Sequence, residues 1–229
     1  MSKKILVVFI LMLYACDKKI PYRSCDSLLS ATCSGNDEGE FCTYGFKWGD
    51  NKTFAPAGTE KEGPKTAGGE VSYSFQASGM VFNTHSQTNV VSKSFESIKV
   101  CDAKVQIRHA LQAWEAVANI KFVESSNPLN SDIRFLVADI KQGGLVAYPP
   151  FDLPFVADLC STIAGQVVFN VQTRNTCDGF YNLALHEVGH VLGLGHVNSR
   201  NIMNPNFSQN VVTLQPGDIK GIQAIYGEK

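Results

Sequence analysis

The sequence lacks a charge excess of either sign, and this absence narrows the range of partners. Its formal net charge is −1, with 20 basic and 21 acidic residues along 229 positions. Proteins that bind nucleic acid usually carry a basic surface that contacts the phosphates. The balanced charge therefore predicts no nucleic-acid partner. There is no sustained internal repeat either, and the length suits one domain with its own core. We expect a monomer.

The apolar run near the N-terminus is too short to cross a membrane. Residues 5–13 are apolar and follow the basic Lys3 and Lys4, whereas a spanning helix needs about 20 apolar residues. A short apolar run after a basic start is typical of an export signal. We therefore predict that residues 1–15 are a signal peptide and that the mature chain works outside the cytoplasm.

The residues that follow this run indicate how the chain is held after export. Leu13-Tyr14-Ala15-Cys16 resembles a bacterial lipobox, in which the cysteine is lipidated and becomes the mature N-terminus. Tyr14 is unusual at its position, and an ordinary signal peptide followed by a coincidental cysteine is the alternative. The lipobox predicts a cell-envelope lipoprotein whose membrane partner is reached through a lipid on Cys16. The alternative predicts an extracellular protein.

No C-x-x-C pair is present, which argues against zinc binding by cysteines. Without Cys16, an even set of six remains: Cys25, Cys33, Cys42, Cys101, Cys160 and Cys177. In an exported protein this set predicts up to three disulfides, and six cysteines allow 15 connectivities. The sequence does not choose between them.

Histidine is scarce, with five residues in the chain, but three of them lie in the stretch 186–196, which reads HEVGHVLGLGH. On a helix, His186 and His190 lie one turn apart on the same face, so both can bind one metal ion. Glu187 lies beside that ion, where a general base could hold a water molecule. Gly193 can adopt positive φ, so the helix can end and the chain can turn to deliver His196 as a third ligand. Three histidines with an open fourth position are typical of a catalytic zinc site.

The rest of the chain divides into two parts. Residues 16–69 hold three cysteines besides Cys16 and many turn-forming residues, which predicts loops or a linker. This part could be a pro-segment, a disulfide-tied extension or a lipoprotein tether. From Glu70 the pattern is regular. Predicted strands cover 71–75, 120–123, 132–137, 145–148 and 166–169, and predicted helices cover about 102–119, a segment that begins near Phe180, and 216–226. Such interleaving predicts an α+β domain over 70–229.

The helix predicted over about 102–119 should bury one face. Val105, Ala110, Leu111, Trp114 and Val117 can share that face, with Ile107 close by. Apolar residues at this helical spacing are typical of a helix that packs on a sheet.

These residues together resemble the metzincin zinc peptidases, and within them the matrixins. The form H-E-x-x-H-x-x-G-x-x-H is the metzincin signature, and 201–205 (Asn-Ile-Met-Asn-Pro) resembles the metzincin Met-turn with Met203 beneath the metal. Residues 218–227 are close to the matrixin C-terminal helix. The resemblance covers residues 48–227, with a more distant similarity to serralysins. It implies a twisted, mostly parallel five-stranded sheet with an antiparallel edge strand, an active-site helix and a C-terminal helix.

The resemblance also implies how a substrate would bind. An extended peptide would pair with the edge strand at Leu145, Val146 and Ala147, as peptides do on exposed sheet edges. Pro205 would line the pocket beyond the scissile bond.

Two departures from the matrixin pattern concern metals and latency. The strands that carry structural-zinc histidines in matrixins hold Tyr148 and 168–170 (Val-Phe-Asn) here, and His85 and His109 are more typical of surface histidines. We therefore expect one zinc ion. Calcium could also bind through Asp152, Asp158 or Asp178, but isolated acidic residues are usually solvated, so we name none of them as a ligand. The cysteine-switch run Pro-Arg-Cys-Gly is absent.

The function implied is a zinc-dependent endopeptidase that cleaves proteins or peptides with a zinc-activated water and Glu187 as general base. A catalytically silent zinc module for surface binding is one alternative, although such a role would not require Glu187. A toxin-like protease with one host-protein substrate is the other, because specificity depends on pocket shape.

Overall fold

The computed structural model describes residues 40–44, 46–49, 53–54, 68–84, 87–140, 146–147, 165–172, 175–206 and 211–229, with the backbone alone at 53–54 and 146–147. The strands are β1 (Phe46–Lys47), β2 (Thr53–Phe54), β3 (Gly69–Phe75), β4 (Val81–Phe82), β5 (Val90–Lys93), β6 (Ile120–Glu124), β7 (Ile133–Ala138), β8 (Val146–Ala147) and β9 (Gln166–Asn170). The helices are α1 (Ala103–Val117), α2 (Cys177–Val191) and α3 (Pro216–Tyr226), and two short 3-10 helices lie at Phe95–Ser97 and Pro128–Asn130.

Five strands form the sheet that the sequence predicts, in the order β6-β3-β7-β9-β8. The pairs β3–β6, β3–β7 and β7–β9 are parallel, and β8 runs antiparallel to β9. Parallel strands need crossover connections, and α1 supplies the one between β3 and β6. The mostly parallel sheet with an antiparallel edge strand is therefore confirmed.

A hairpin that the sequence analysis did not predict adds two strands to this sheet. β5 pairs antiparallel with the second half of β7, next to the part of β7 that pairs with β3, and β4 pairs with β5. Both strands are short and lie in a stretch rich in Ser, Thr and Asn. The alternation of apolar and polar residues in these strands is too short to distinguish a strand from a loop.

Helix α1 packs one face on the sheet. Its N-cap is Asp102, whose side chain accepts a hydrogen bond from the Val105 N–H at 3.1 Å. The buried positions follow the helical period: Ala103, Ile107, Ala110, Leu111 and Trp114. The predicted face was wrong at Val105, which is 37% exposed, because the helix turns that position away from Ile107.

Helices α2 and α3 complete the layer on this side of the sheet. α2 begins at Cys177, three residues earlier than the sequence predicts, because the Thr176 hydroxyl caps the helix by accepting a hydrogen bond from the Gly179 N–H at 3.1 Å. α3 has the predicted bounds, with Pro216 in its first turn. None of the helices in the described residues has the length and apolar composition needed to cross a lipid bilayer.

The sheet separates two cores of unequal size. The larger one lies between the sheet and the three helices, and it includes Trp114, Phe135, Phe169 and Phe180. The smaller one lies on the other face, where the hairpin β4–β5 covers Leu136 and Val168. Alternate residues along β7 and β9 therefore enter different cores, as strand geometry requires.

A segment that precedes the sheet by some twenty residues also belongs to the larger core. Phe46 and Trp48 are 1% and 2% exposed. The Trp48 indole Nε1–H donates to the Val191 carbonyl at 2.6 Å, and the Trp48 N–H donates to the Tyr226 hydroxyl at 3.2 Å. Cys42 forms a disulfide whose second cysteine lies outside the described residues. Part of the predicted extension 16–69 is thus packed on helices α2 and α3.

Candidate metal centre

Helix α2 carries the first part of the histidine motif into the interior. Most of its residues from Phe180 onward are buried. His186 and Glu187 are 2% and 6% exposed. The helix is fixed against α1 by Trp114, whose Nε1–H donates to the Leu185 carbonyl at 3.1 Å. The residue next to His186 is therefore held in place by a hydrogen bond from the core.

The chain turns at Gly193, as the sequence predicts. Gly193 has a φ of 113°, and its N–H donates to the His190 carbonyl at 3.0 Å. A Cβ at this position would lie 2.8 Å from the Phe46 carbonyl oxygen. Both the backbone angle and the close approach require glycine here. The turn brings His196 back towards the helix.

The three histidines converge on one point. His196 Nε2 lies 3.2 Å from His186 Nε2 and 2.9 Å from His190 Nε2. These three residues form a group that could hold one metal ion, with their ligand atoms all within 4.8 Å of one another. Nitrogens bound to a tetrahedral zinc ion at about 2.0–2.1 Å lie roughly 3.3 Å apart. The spacing of the imidazoles fits zinc.

The other ring nitrogens of two histidines bond to backbone carbonyls. His186 Nδ1 lies 2.6 Å from the Ile202 carbonyl, and His190 Nδ1 lies 2.8 Å from the Leu194 carbonyl. Each Nδ1–H can donate there, which leaves Nε2 with a free lone pair for a metal. Burial lowers the pKa of His190 well below its usual range, aided by His186 and His196, and burial also lowers the pKa of His196. Both imidazoles are thus kept neutral, which is the form that binds metals.

Met203 lies against α2 between the two helical histidines. It is 2% exposed, and a Cβ on Gly189 would lie 2.4 Å from its sulfur. The turn that carries it is fixed by the buried carboxylate of Asp218 on α3, which accepts from the Ile202 N–H at 2.8 Å and the Met203 N–H at 3.2 Å. The pKa of Asp218 is raised by burial, and the hydrogen bonds from the backbone N–H groups of Gln215, Ile202 and Met203 offset part of this rise. The turn that resembles the Met-turn is therefore braced by the last helix.

Tyr44 lies beside the centre and was missed by the sequence analysis. Its ring stacks on His190 with centroids 5.9 Å apart, and its hydroxyl lies 3.4 Å from His190 Nδ1. Burial raises its pKa, and so does the negative charge of Glu187. The Tyr44 N–H donates to the Gly193 carbonyl at 2.7 Å, which holds the residue in place. The sequence offered a signal for this segment, because the aromatic residues Tyr44, Phe46 and Trp48 occupy every second position, as in a half-buried strand.

Only some of the predicted substrate-binding residues lie in the described structure. Val146 and Ala147 form β8 at the edge of the sheet, where they pair with Val168 and Val167. Pro205 is exposed and follows the turn of Met203. Leu145 lies outside the described residues, as do Cys16, His85, Tyr148, Asp152 and Asp158. His109 is exposed on α1.

Comparison with known proteins finds similar sequences among metalloproteinases and collagenases. Over 140 residues the chain is 32% identical to Metalloendoproteinase 1 of Glycine max, covering 54% of this chain and 45% of that protein. It is 33% identical over 133 residues to the interstitial collagenase of Oryctolagus cuniculus, covering 55% and 28%. It is 34% identical over 143 residues to Matrix metalloproteinase-19 of Homo sapiens, covering 56% and 26%. The alignments thus span less than half the length of each of these relatives.

A family model with the description Matrixin matches residues 71–227. The match includes the three histidines, Glu187 and Met203, and it extends through α3. The more distant similarity to serralysins stays a prediction. Since the family model matches well over half of the sequence, the chain belongs to the matrixin family.

Proposed function

We propose that this chain is an exported zinc endopeptidase that hydrolyses peptide bonds in proteins or peptides. The observation that carries the proposal is the convergence of His186, His190 and His196. Glu187 is buried and directly follows His186 on α2. A structural zinc site usually has four protein ligands, whereas three histidines leave a position for a reactant. A purely binding module would not need a buried carboxylate at this place.

The proposed roles follow from the positions of the side chains. His186, His190 and His196 would hold zinc, which when bound supplies a Lewis acid that polarises the scissile carbonyl and acidifies the attacking water. Glu187 accepts a proton from that water and passes it to the leaving amine. Met203 supports the helix beneath the histidines. The catalytic unit comprises residues 70–229 together with the segment 40–49 that packs on it.

The change Glu187→Ala tests the base. Removing a general base commonly lowers turnover by about 100- to 10,000-fold, while the three histidines and zinc content are retained. Cleavage of a random peptide library measures turnover, and elemental analysis and thermal melting measure zinc and folding. Glu228→Ala, an exposed carboxylate near the C-terminus, is the matched control. Wild-type turnover in Glu187→Ala would refute the mechanism.

The same library separates the two alternatives. Zinc-loaded wild-type protein that cleaves no peptide and no protein would indicate a silent binding module. Cleavage of one narrow sequence class would indicate a dedicated effector protease. Cleavage of many peptides that share a pocket preference supports the proposal. Chelation should abolish the activity, and added zinc should restore it.

The proposed substrate path runs along β8, with Leu145, Val146 and Ala147 pairing antiparallel to the substrate and Pro205 beside the pocket after the scissile bond. The position of β8 at the sheet edge supports this path, since among the described strands it pairs with β9 alone. N-methylation of substrate amides next to the scissile bond removes donors without changing the enzyme. Each lost hydrogen bond should lower kcat/KM by about fivefold or more. N-methylation at the far end of the peptide is the control.

The proposed anchor is a lipid on Cys16 after removal of residues 1–15. One acyl chain holds a protein marginally, whereas several hold it stably, so the mature enzyme should be found in the membrane fraction. Cys16→Ser should release it or block its processing. An unmodified N-terminus at another residue, found by mass spectrometry, would favour an ordinary secreted protease.

The proposed stoichiometry is one zinc ion per monomer, with no nucleic-acid partner. Among the described residues, His186, His190 and His196 are the one cluster of three or more candidate ligands. Elemental analysis should give one equivalent of zinc, and a reproducible second equivalent would contradict the proposal. Calcium stays a prediction without a named ligand.

A further inference from the structure

A short segment that precedes the matched matrixin region contacts the histidine centre directly. The family model begins at residue 71, whereas Tyr44 stacks its ring on His190. The Tyr44 N–H donates to the Gly193 carbonyl at 2.7 Å, and the Gly195 N–H donates to the Cys42 carbonyl at 2.9 Å. Residues 42–44 are therefore attached to the turn that connects the second and third histidines.

The Tyr44 ring contacts the face of the His190 imidazole. The ring centroids are 5.9 Å apart, and the ring planes differ by 25°. Tyr44 is 8% exposed, and it also stacks on Phe46, with centroids 6.1 Å apart and an angle of 17° between the planes. Stacked aromatic rings prefer a defined mutual orientation. Because Phe46 is buried in the larger core, Tyr44 has little freedom to move away from His190.

A contact on its face restricts the orientation of the His190 ring. The Nδ1 of His190 lies 2.8 Å from the Leu194 carbonyl, and one hydrogen bond of this kind still allows the ring to rock about its Cβ–Cγ bond. A stacked ring opposes that rocking. The lone pair of Nε2 lies in the plane of the imidazole, so the ring plane decides whether Nε2 points at the same ion as the other two histidines.

The Tyr44 hydroxyl contacts the same imidazole at Nδ1. Its oxygen lies 3.4 Å from that nitrogen. When Nε2 binds a metal, Nδ1 carries the proton, and its N–H can be shared between the Leu194 carbonyl and the Tyr44 oxygen as acceptors. The distance to Tyr44 is the longer of the two, so the hydroxyl adds a weaker contact to the backbone hydrogen bond. Ring and hydroxyl thus act on one ligand of the metal centre.

We propose that Tyr44 is a positioning residue of the metal centre, which acts through His190 and raises the affinity for zinc. It contacts the ring face and Nδ1, whereas Nε2 is the atom that converges with the other histidines. The inference rests on the proposed zinc binding by the three histidines, and it does not depend on peptidase activity.

Zinc affinity tests this role without a measurement of activity. Metal-free protein is titrated with zinc against a competing chelator. Loss of a side chain that supports a metal ligand typically lowers metal affinity by about 10- to 100-fold, and we expect a loss in this range for Tyr44→Leu. Tyr44→Phe keeps the stacked ring and should recover most of the affinity, to within about tenfold of wild type.

Tyr73→Leu is the matched control. Tyr73 is also buried in the larger core, but its ring contacts Phe75 and Phe135 of the sheet. Thermal melting of the metal-free proteins shows how much stability each variant loses. A general loss of packing would lower zinc affinity equally in both leucine variants, and this result would overturn the proposal. A positioning role lowers the affinity of Tyr44→Leu well beyond that of the control.

Cobalt(II) gives a second readout, because its visible absorption depends on the arrangement of its ligands. The spectrum of cobalt-loaded Tyr44→Leu should differ from that of wild type, and the spectrum of Tyr73→Leu should not. If Tyr44→Leu does not fold, Tyr44→Met takes its place, since a flexible methionine fills similar space without a ring. Zinc affinity and cobalt spectrum both equal to those of wild type would overturn this inference alone. Wild-type protein that binds no zinc would overturn the metal centre and this inference with it.

Discussion

The two faces of the sheet differ in the hydrogen bonding of their buried polar groups and in their packing. On the helix side, the buried polar groups around the histidines have partners: Trp114 bonds to Leu185, His186 to Ile202, and Asp218 to the turn of Met203. On the hairpin side, a cavity of about 290 Å³ lies under β4 and is lined by Gln76, Met80, Val81, Phe82, Asn83, Arg134, Leu136 and Gln166. The buried Gln76 Oε1 accepts no hydrogen bond from the described residues.

The proposed chemistry lies on the side of the sheet where these buried polar groups have hydrogen-bond partners. A buried polar atom without a hydrogen-bond partner costs free energy. The hairpin face bears this cost at Gln76, whereas on the helix face His196 lies within hydrogen-bonding distance of both His186 and His190. We therefore expect changes on the helix face to affect stability and activity together, and changes on the hairpin face to affect stability alone.

The largest expected effect is that of Trp114→Ala. Trp114 is fully buried and holds Leu185 next to His186, so truncation should cost about 3–5 kcal/mol and lower activity. The matched change on the other face is Leu136→Ala, which should cost about 2–3 kcal/mol and leave kcat/KM unchanged. Urea denaturation gives both free energies of unfolding. Equal activity losses in the two variants would remove the distinction between the faces.

Two glycines with positive φ provide the next comparison. Gly193→Ala combines backbone strain with a Cβ 2.8 Å from the Phe46 carbonyl, whereas Gly79→Ala at a φ of 85° meets nothing within 4 Å. We expect Gly193→Ala to cost about 2–3 kcal/mol and to weaken zinc binding, since His196 follows the turn. Gly79→Ala should cost about 1 kcal/mol with zinc affinity unchanged. Chelator competition measures the zinc affinity, and identical results for both variants would contradict the role of the turn.

The helix of the metal centre could be predicted from the sequence because its signal is local. Two histidines four residues apart, a glycine three residues later and a third histidine all lie within eleven positions. This spacing predicts a metal site. The buried period of α1 was predicted less well, since Val105 is apolar but points away from the sheet. Hydrophobicity alone does not give the phase of a helix when an apolar residue lies just off the buried stripe.

The pairing of the hairpin and the contacts of the segment 40–49 could not be predicted, because both depend on residues far away in the sequence. β5 is four residues long and depends on pairing with β7. The segment 40–49 places Tyr44 against His190, which lies 146 positions later in the sequence. Contacts of this separation are made by tertiary packing, which no short pattern encodes. The alternation of aromatic residues indicated a buried strand, but not which surface would cover it.

Two tyrosine hydroxyls on the helix side of the sheet, one beside the histidines and one at Glu124, give a smaller contrast. Tyr44→Phe removes the oxygen next to His190 Nδ1 and should lower kcat/KM by up to about tenfold, as changes beside metal ligands do. Tyr73→Phe removes a hydrogen bond to Glu124 and should leave kcat/KM unchanged. Each variant should lose about 1 kcal/mol of stability. Steady-state kinetics separate them, and an unchanged kcat/KM in Tyr44→Phe would show that the ring stacking alone matters.

The smallest effect is expected at the rim, away from both faces. Arg108 hydrogen-bonds to Glu124 at 2.8 Å and holds the pKa of that carboxyl below its usual range. A lowered folded pKa stabilises the fold above the usual glutamate value of about 4.3, and this contribution is lost as the pH falls through the folded value. Both side chains are over a third exposed, so Glu124→Gln should cost under about 1 kcal/mol at pH 7.

Urea midpoints at pH 7 and pH 3 check the direction. The difference between wild type and Glu124→Gln should shrink at the lower pH and in high salt. A difference that grows on acidification would contradict the assigned pairing.

The backbone pairing of residues 42–44 with the turn after α2 limits how far the chain can be trimmed. The Gly195 N–H donates to the Cys42 carbonyl at 2.9 Å, on the same short ladder that holds Tyr44. A maturation cut before residue 40 keeps this ladder, whereas a cut between residues 44 and 48 removes its anchor and exposes the back of the histidine cluster. We expect cleavage in that interval to inactivate the proposed peptidase. A fragment that keeps this pairing has to include Cys42, although the first strand of the main sheet begins only at Gly69.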